Sequence, residues 1–111
     1  MLIYVDIDNT ICVPDPNWNH DLATPIVDRI EKVNNLYDAG HTIVYWTARG
    51  TQSKKDWRKV TEKQFKDWGV KYHELILYKP HYDLFIDDKN IESNRFFDEE
   101  YYKLNERKLI K

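Results

Sequence analysis

At 111 residues and a formal charge of −2, with acids and bases interspersed, the chain is sized for one domain around a single core, and nothing in its bulk charge draws it to nucleic acid or a membrane surface. One cysteine, Cys12, excludes an internal disulfide and suits a reducing compartment, while only 3 glycines leave little from which to build a glycine-rich nucleotide loop. No apolar run reaches membrane-spanning length, and Met1 leads straight into a strand pattern where a cleavable signal would stand, so a cytoplasmic location and no membrane partner are expected.

Leu2-Ile3-Tyr4-Val5 is β-branched and aromatic, the pattern of a buried strand, and it stops at Asp6-Ile7-Asp8 before the turn-forming Asn9 and Thr10. An extended chain alternates its side chains, so Asp6 and Asp8 project to one side at the strand's carboxyl end unless the turn has already begun at Asp8. Two carboxylates that close repel, and they call for a proton, a cation or a cationic side chain between them. Residues 11–22 hold Pro14, Asp15, Pro16, Asn17, Asn19 and Asp21, too many breakers for regular structure, and read as a long binding loop or lid. Trp18 and His20 within it either pack the loop down or meet a substrate.

Thr24 and Pro25 have the chemistry of an N-cap and first helical residue, followed by Ile26, Ile30, Val33 and Tyr37 at helical spacing up to Gly40. Residues 41–46 form a second buried strand that ends at Thr47-Ala48-Arg49-Gly50. Strand, helix and strand with short links build a parallel sheet with a right-handed crossover, which places Thr47 beside the Asp6 end. Ser53 is a candidate cap for the next helix, whose inner face is Trp57, Val60, Phe65 and Trp68 up to Gly69. The lysines and arginine between them form a solvated face, with Lys54 and Arg58 near enough to the helix start to reach a ligand. Residues 74–78 give a third strand, stopped by Lys79-Pro80, and residues 83–86 a fourth, stopped by Asp87-Asp88. A helix over 91–102 with Phe96, Phe97 and Tyr101 inward precedes a charged tail, 103–111, that reads as a last strand, a docked segment or a frayed end.

The four strand ends thus deliver Asp6 and Asp8, Thr47, Lys79, and Asp87 with Asp88, to the edge where open parallel sheets bind ligands. Carboxylates, a hydroxyl and a lysine around one point suit phosphoryl transfer, in which a divalent cation and cationic donors offset the charge that builds up as an anion is attacked. Magnesium matches such an all-oxygen set.

The segments VDIDNT, YWTARG, the lysine of YKP and FIDDK resemble, in order, the four motifs of the haloacid dehalogenase superfamily of phosphohydrolases, over residues 2–90. The resemblance implies an α/β Rossmann-like three-layer sandwich with a mainly parallel sheet, one domain over 1–111, and a magnesium-dependent phosphatase. Asp6 would be the nucleophile that becomes an aspartyl-phosphate, and Asp8 the acid for the leaving group and then the base for water, carrying a proton in the first step. Thr47 would hold the phosphoryl group and Lys79 neutralise it, with Lys54 as the substitute. Asn9, Ala48 and Arg49 would contact substrate. Magnesium would be held by Asp6, the main-chain carbonyl of Asp8, and Asp87 with Asp88 beside it. The short span from Asp6 to Thr47 leaves no room for a cap domain, and such capless relatives act on macromolecules or shield the site as homo-oligomers. A phosphorylated small molecule such as a sugar phosphate is the expected substrate, with a nucleotide or nucleic-acid phosphate the minority reading. A receiver-like phospho-acceptor uses similar residues, but there the acid pair comes first in the chain and here it comes last.

Overall fold

The computed structural model describes residues 1–103 and divides into two compact units, Met1–His81 and Tyr82–Lys111, the latter described as far as Lys103. The first unit is α/β and Rossmann-like. Its parallel sheet has the order β1 (Leu2–Val5), β4 (Thr42–Trp46), β5 (Glu74–Ile76), with Ile3 opposite Ile43 and Tyr45 opposite Leu75. β4 is the central strand because its run of Ile43, Val44 and Tyr45 can be buried on both faces, and all three are. Its neighbours can afford exposed residues: Leu2 and Tyr4 of β1 are more than half exposed.

Both crossovers step in one direction across the sheet, so right-handed connections lay α1 (Val27–Asp38) and α2 (Arg58–Trp68) side by side on the same face. Asn34 of α1 fastens the pair, donating to the Gly69 carbonyl at 2.8 Å and accepting from the Lys71 amide at 2.9 Å. Beneath them Tyr45 meets the rings of Phe65 and Tyr72 edge-on. Gly69, in the left-handed region with φ 71°, closes α2 as its position suggests.

The helix starts differ from expectation. Thr24 and Pro25 do not open α1; they form β3 (Thr24–Pro25), antiparallel to β2 (Cys12–Val13), and the helix begins at Val27. Proline's missing N–H is as harmless on the rim of a two-residue ladder as in the first turn of a helix, so the same residues satisfy both. Ser53 accepts from the Lys55 amide, while α2 starts at Arg58, whose amide is held by the Asp56 carboxylate at 3.0 Å. The long loop after β2 is mostly irregular, with one 3-10 turn (His20–Leu22) capped by the Asn19 side chain.

In the second unit the expected strand over 83–86 does not form. Leu84 and Ile86 are 75% and 87% exposed, and the Asp87 carboxylate takes the Asp88 amide at 2.9 Å. A three-residue apolar run is a strand only when a neighbour supplies a ladder, and an aspartate that binds the next amide competes with one. α3 (Ser93–Asp98) does form, shorter than the 91–102 expected, capped by Glu92 and with Phe97 buried. The tail beyond Lys103 lies outside the described residues.

Candidate active site

Three parallel strands end side by side, and each delivers polar side chains to that edge. After β1 come Asp6 and Asp8. After β4 comes Thr47, almost wholly buried, its amide bonded to the Ile76 carbonyl at 3.0 Å. After β5 comes Lys79, whose amide donates to the Thr47 carbonyl at 2.9 Å, so that the two loops continue the ladder beyond the strands.

Lys79 is fixed by its neighbours. Tyr78 before it adopts φ 63°, uncommon for a bulky residue, and lays its ring over Gly50, itself at φ 85°. A Cβ on Gly50 would lie 2.6 Å from the Lys55 carbonyl oxygen and 2.8 Å from the Tyr78 ring. Thr51 Oγ1 donates to the Lys79 carbonyl at 2.6 Å. The ammonium then stands 3.9 Å from Asp6 Oδ1 and 5.5 Å from the centre of the Trp46 ring. Lys54 is exposed, its amide bonded to Gly50. Lys79, not Lys54, is the lysine beside Asp6.

Asp6 keeps a side chain 41% exposed. Burial of the remainder pushes its carboxyl above the usual range, and the nearby Lys79, the Ile7 amide and the Thr10 hydroxyl offset this only in part. Asp8 is held in the opposite condition. Burial raises it too, but Arg49 brings it below the ordinary carboxylate range, with Nε on Oδ2 at 3.0 Å and Nη2 on Oδ1 at 2.9 Å. Asp8 therefore rests as a carboxylate, not as the protonated acid expected of it.

Arg49 corrects a second expectation. Its place directly after the strand end suggests a hand on the leaving group, yet it is only 2% exposed. Besides Asp8 it donates through Nη1 to Thr61 Oγ1 at 2.9 Å and Gln64 Oε1 at 2.6 Å. A buried guanidinium needs this many acceptors, and α2 supplies them by turning Thr61 and Gln64 inward where an amphipathic pattern would place apolar residues. No local sequence signal marks Thr61 or Gln64, because their partner lies on another element. Cys12 and His20 complete the surroundings: the thiol donates to Asp8 Oδ1 at 3.4 Å and is pushed up to about 12, chiefly by burial. His20 Nδ1 stands 3.9 Å from Asp8 Oδ2, and burial lowers the ring's pKa despite that neighbour.

Asn9 sits in the turn after Asp8 with φ 65°, its amide bonded to the Cys12 carbonyl, and Ala48 accepts from the Thr51 amide. Both stay at the rim of the strand ends as candidate substrate contacts. Asp87 and Asp88 lie in the second unit, exposed. Among the described residues there is no group of three or more His, Cys, Asp or Glu placed to hold a metal ion. No described helix is long and apolar enough to cross a membrane.

No family model matches the chain, and no curated protein does. Among solved structures it is similar to a structural-genomics target from Vibrio cholerae, with 21% identity over 96% of this chain and 98% of that one, at a TM-score of 0.73. It is also similar to a chain of the Pnkp1/Rnl/Hen1 complex, with 19% identity over 88% of this chain and 33% of that one, at a TM-score of 0.56. At these identities the likeness establishes the fold: a Rossmann-like α/β domain.

Proposed function

We propose that the chain is a magnesium-dependent phosphomonoester hydrolase that works through an aspartyl-phosphate on Asp6, as the haloacid dehalogenase resemblance implies, with a small phosphorylated metabolite such as a sugar phosphate as substrate. One observation carries the reading: Asp6, Thr47 and Lys79 leave three adjacent parallel strands at one edge, with the Lys79 ammonium 3.9 Å from the Asp6 carboxylate. An oxygen of Asp6 forms the new bond to phosphorus as the bond to the leaving oxygen breaks. Lys79 offsets the negative charge, and Thr47, whose oxygen accepts from the Arg49 amide at 3.2 Å, still has a hydroxyl proton to give a phosphoryl oxygen. Water then attacks the phosphoenzyme and releases phosphate.

Asp8, ionised against Arg49, suits this second step, in which a base takes the proton of the attacking water. Donating a proton to the leaving oxygen in the first step requires Asp8 to gain one against the pull of the guanidinium. A sugar phosphate has an alkoxide leaving group that needs this proton, so its turnover should be slower than that of p-nitrophenyl phosphate, whose leaving group departs unprotonated.

The donor set fits magnesium in kind. Asp6 offers a partly exposed carboxylate and Asp8 a main-chain carbonyl, both hard oxygens, and magnesium keeps waters and takes phosphate oxygens for its other positions. When bound, the ion would neutralise charge on the phosphoryl group. The resemblance also gives Asp87 and Asp88 to the metal, and Asp87→Asn would then raise the magnesium concentration needed for half-maximal rate. The deciding experiment is hydrolysis of p-nitrophenyl phosphate and of a panel of metabolite phosphates, with magnesium and with EDTA, beside Asp6→Asn. Magnesium-dependent turnover abolished by Asp6→Asn is expected. A wild-type protein as inactive as the variant across the panel sinks the proposal.

A further inference from the structure

Gln64 is a buried amide with a distinct partner at each end. Its Oε1 accepts from Arg49 Nη1 at 2.6 Å, and its Nε2 donates to the main-chain carbonyl of His20, also at 2.6 Å. A guanidinium only donates and a carbonyl only accepts, so one orientation of the amide satisfies both. The result is a connected series of hydrogen bonds in which the Arg49 guanidinium donates on one side to the Asp8 carboxylate and on the other to Gln64, which donates in turn to the His20 carbonyl.

His20 belongs to the strap of residues 14–22, whose ends are fixed where β2 pairs with β3. The strap is organised within itself. Asp15 accepts from the amides of Asn17 and Asn19, and Asn19 accepts from the Asp21 amide. His20 docks it: the carbonyl on Gln64, the ring edge-on against Trp57 with centroids 4.8 Å apart, and Nδ1 3.9 Å from Asp8 Oδ2. Its outer side chains, Trp18 and Leu22, are exposed.

From this geometry we infer that Gln64 is a positioning residue coupling the docked state of the strap to the orientation of Arg49 and, through it, of Asp8. With the strap in place the amide is held at both ends and Arg49 has its acceptor in a fixed position. With the strap displaced the amide loses one end, and the guanidinium can follow it away from Asp8. The strap would thereby set the alignment of the base three hydrogen bonds away. The activity arm of the test rests on the phosphatase reading; the spectroscopic arm does not.

The experiment compares the wild type with Gln64→Met, which removes both ends, and with the double variant Asp15→Ala, Asn19→Ala, which loosens the strap without touching Gln64, Arg49 or Asp8. Three readouts are taken: amide exchange at Leu22 and Ala23, which bond to the Asn19 and His20 carbonyls, the NMR resonance of the Arg49 Nε–H held by Asp8, and kcat and KM on p-nitrophenyl phosphate. In both variants the strap amides should exchange faster and the Arg49 resonance should shift or broaden. The expected loss in kcat is about tenfold for Gln64→Met, smaller for the strap variant, with KM nearly unchanged, as misalignment of a reacting group produces. Faster strap exchange with an unmoved Arg49 resonance and unchanged kcat overturns the coupling, as does a Gln64→Met protein in which neither the strap nor Arg49 responds. If the wild type turns over no substrate, the phosphatase reading fails and the Arg49 resonance alone decides the coupling.

Discussion

Asp6 and Asp8 stand two residues apart at the end of one strand, yet they occupy opposite electrostatic conditions. Asp6 is partly exposed, faces one ammonium at 3.9 Å, and is pushed toward its neutral form. Asp8 is tied at both oxygens to a buried guanidinium and kept ionised. The difference comes from what each neighbouring loop brings. The loop after β5 brings the Lys79 ammonium to 3.9 Å from Asp6, whereas the loop after β4 drives Arg49 into the core. One carboxylate is left with an unfinished environment, suited to a reacting group; the other is part of the packing.

The sharpest way to break that contrast is to remove each cation in turn. Arg49→Met leaves the Asp8 carboxylate buried without its partner and Thr61 and Gln64 facing an apolar side chain. Breaking a buried pair from one side is expected to lower stability by about 3–5 kcal/mol, measured by urea denaturation. Adding Asp8→Asn should recover part of the loss, because the stranded charge goes with it. Lys79→Ala should do the reverse, leaving the denaturation midpoint nearly in place while turnover falls by about 10²–10³-fold. Equal loss of stability in both variants would erase the distinction between packed and open sides.

Gly50 offers a smaller, geometric version of the same test. The space a Cβ would need is taken by a main-chain oxygen at 2.6 Å and the Tyr78 ring at 2.8 Å, and the backbone φ is positive as well. The carbonyl cannot step aside without moving the loop, so Gly50→Ala is expected to displace Tyr78 and with it Lys79, at about 1–3 kcal/mol of stability. Turnover should drop, and because Gly50 directly follows Arg49 in the chain, the Arg49 Nε–H resonance shows how far the shift spreads. A variant that keeps wild-type turnover would mean that Lys79 is not positioned by this contact.

How much of this was legible in the sequence follows from the range of the interactions. The ends of β1, β4 and β5 were legible because each is a short apolar run stopped by local chemistry, Asn9 and Thr10, Gly50 and Pro80. Asp6, Thr47 and Lys79 follow from those ends alone. Helix starts were misplaced where one residue suits two local structures, as Pro25 does, or where a nearer residue takes the first helical amide, as Asp56 takes that of Arg58. The strand expected over 83–86 needed a pairing partner that no local pattern can supply. Arg49 was given the wrong task because charged side chains are almost never buried unless paired, and its partners, Asp8, Thr61 and Gln64, are scattered along the chain. On α2, Gln64 is one polar residue among many; only the fold turns it inward.

The smallest predicted effect is a difference in sign. A carboxyl whose folded pKa is raised stabilises the fold below its unfolded pKa, and that contribution is lost as pH rises through the folded value. Asp6 is such a group, so at neutral pH its ionised form weighs against folding. A carboxyl whose folded pKa is depressed stabilises the fold above its unfolded pKa and loses that contribution as pH falls through the folded value. Asp8 is of this kind. In metal-free buffer at pH 7, Asp6→Asn should therefore raise the melting temperature slightly and Asp8→Asn should lower it. The two differences should shrink as pH is taken down from about 5 toward 3, across the ordinary carboxylate range. The Asp6 effect is the weaker, because water reaches that side chain and screens it. Magnesium should then lift the wild-type melting temperature more than that of Asp6→Asn, since an ion bound only by the folded state stabilises it by mass action. Melting curves in which both substitutions move in the same direction would show that the two carboxylates share one environment, and the division of labour between them would have no electrostatic basis.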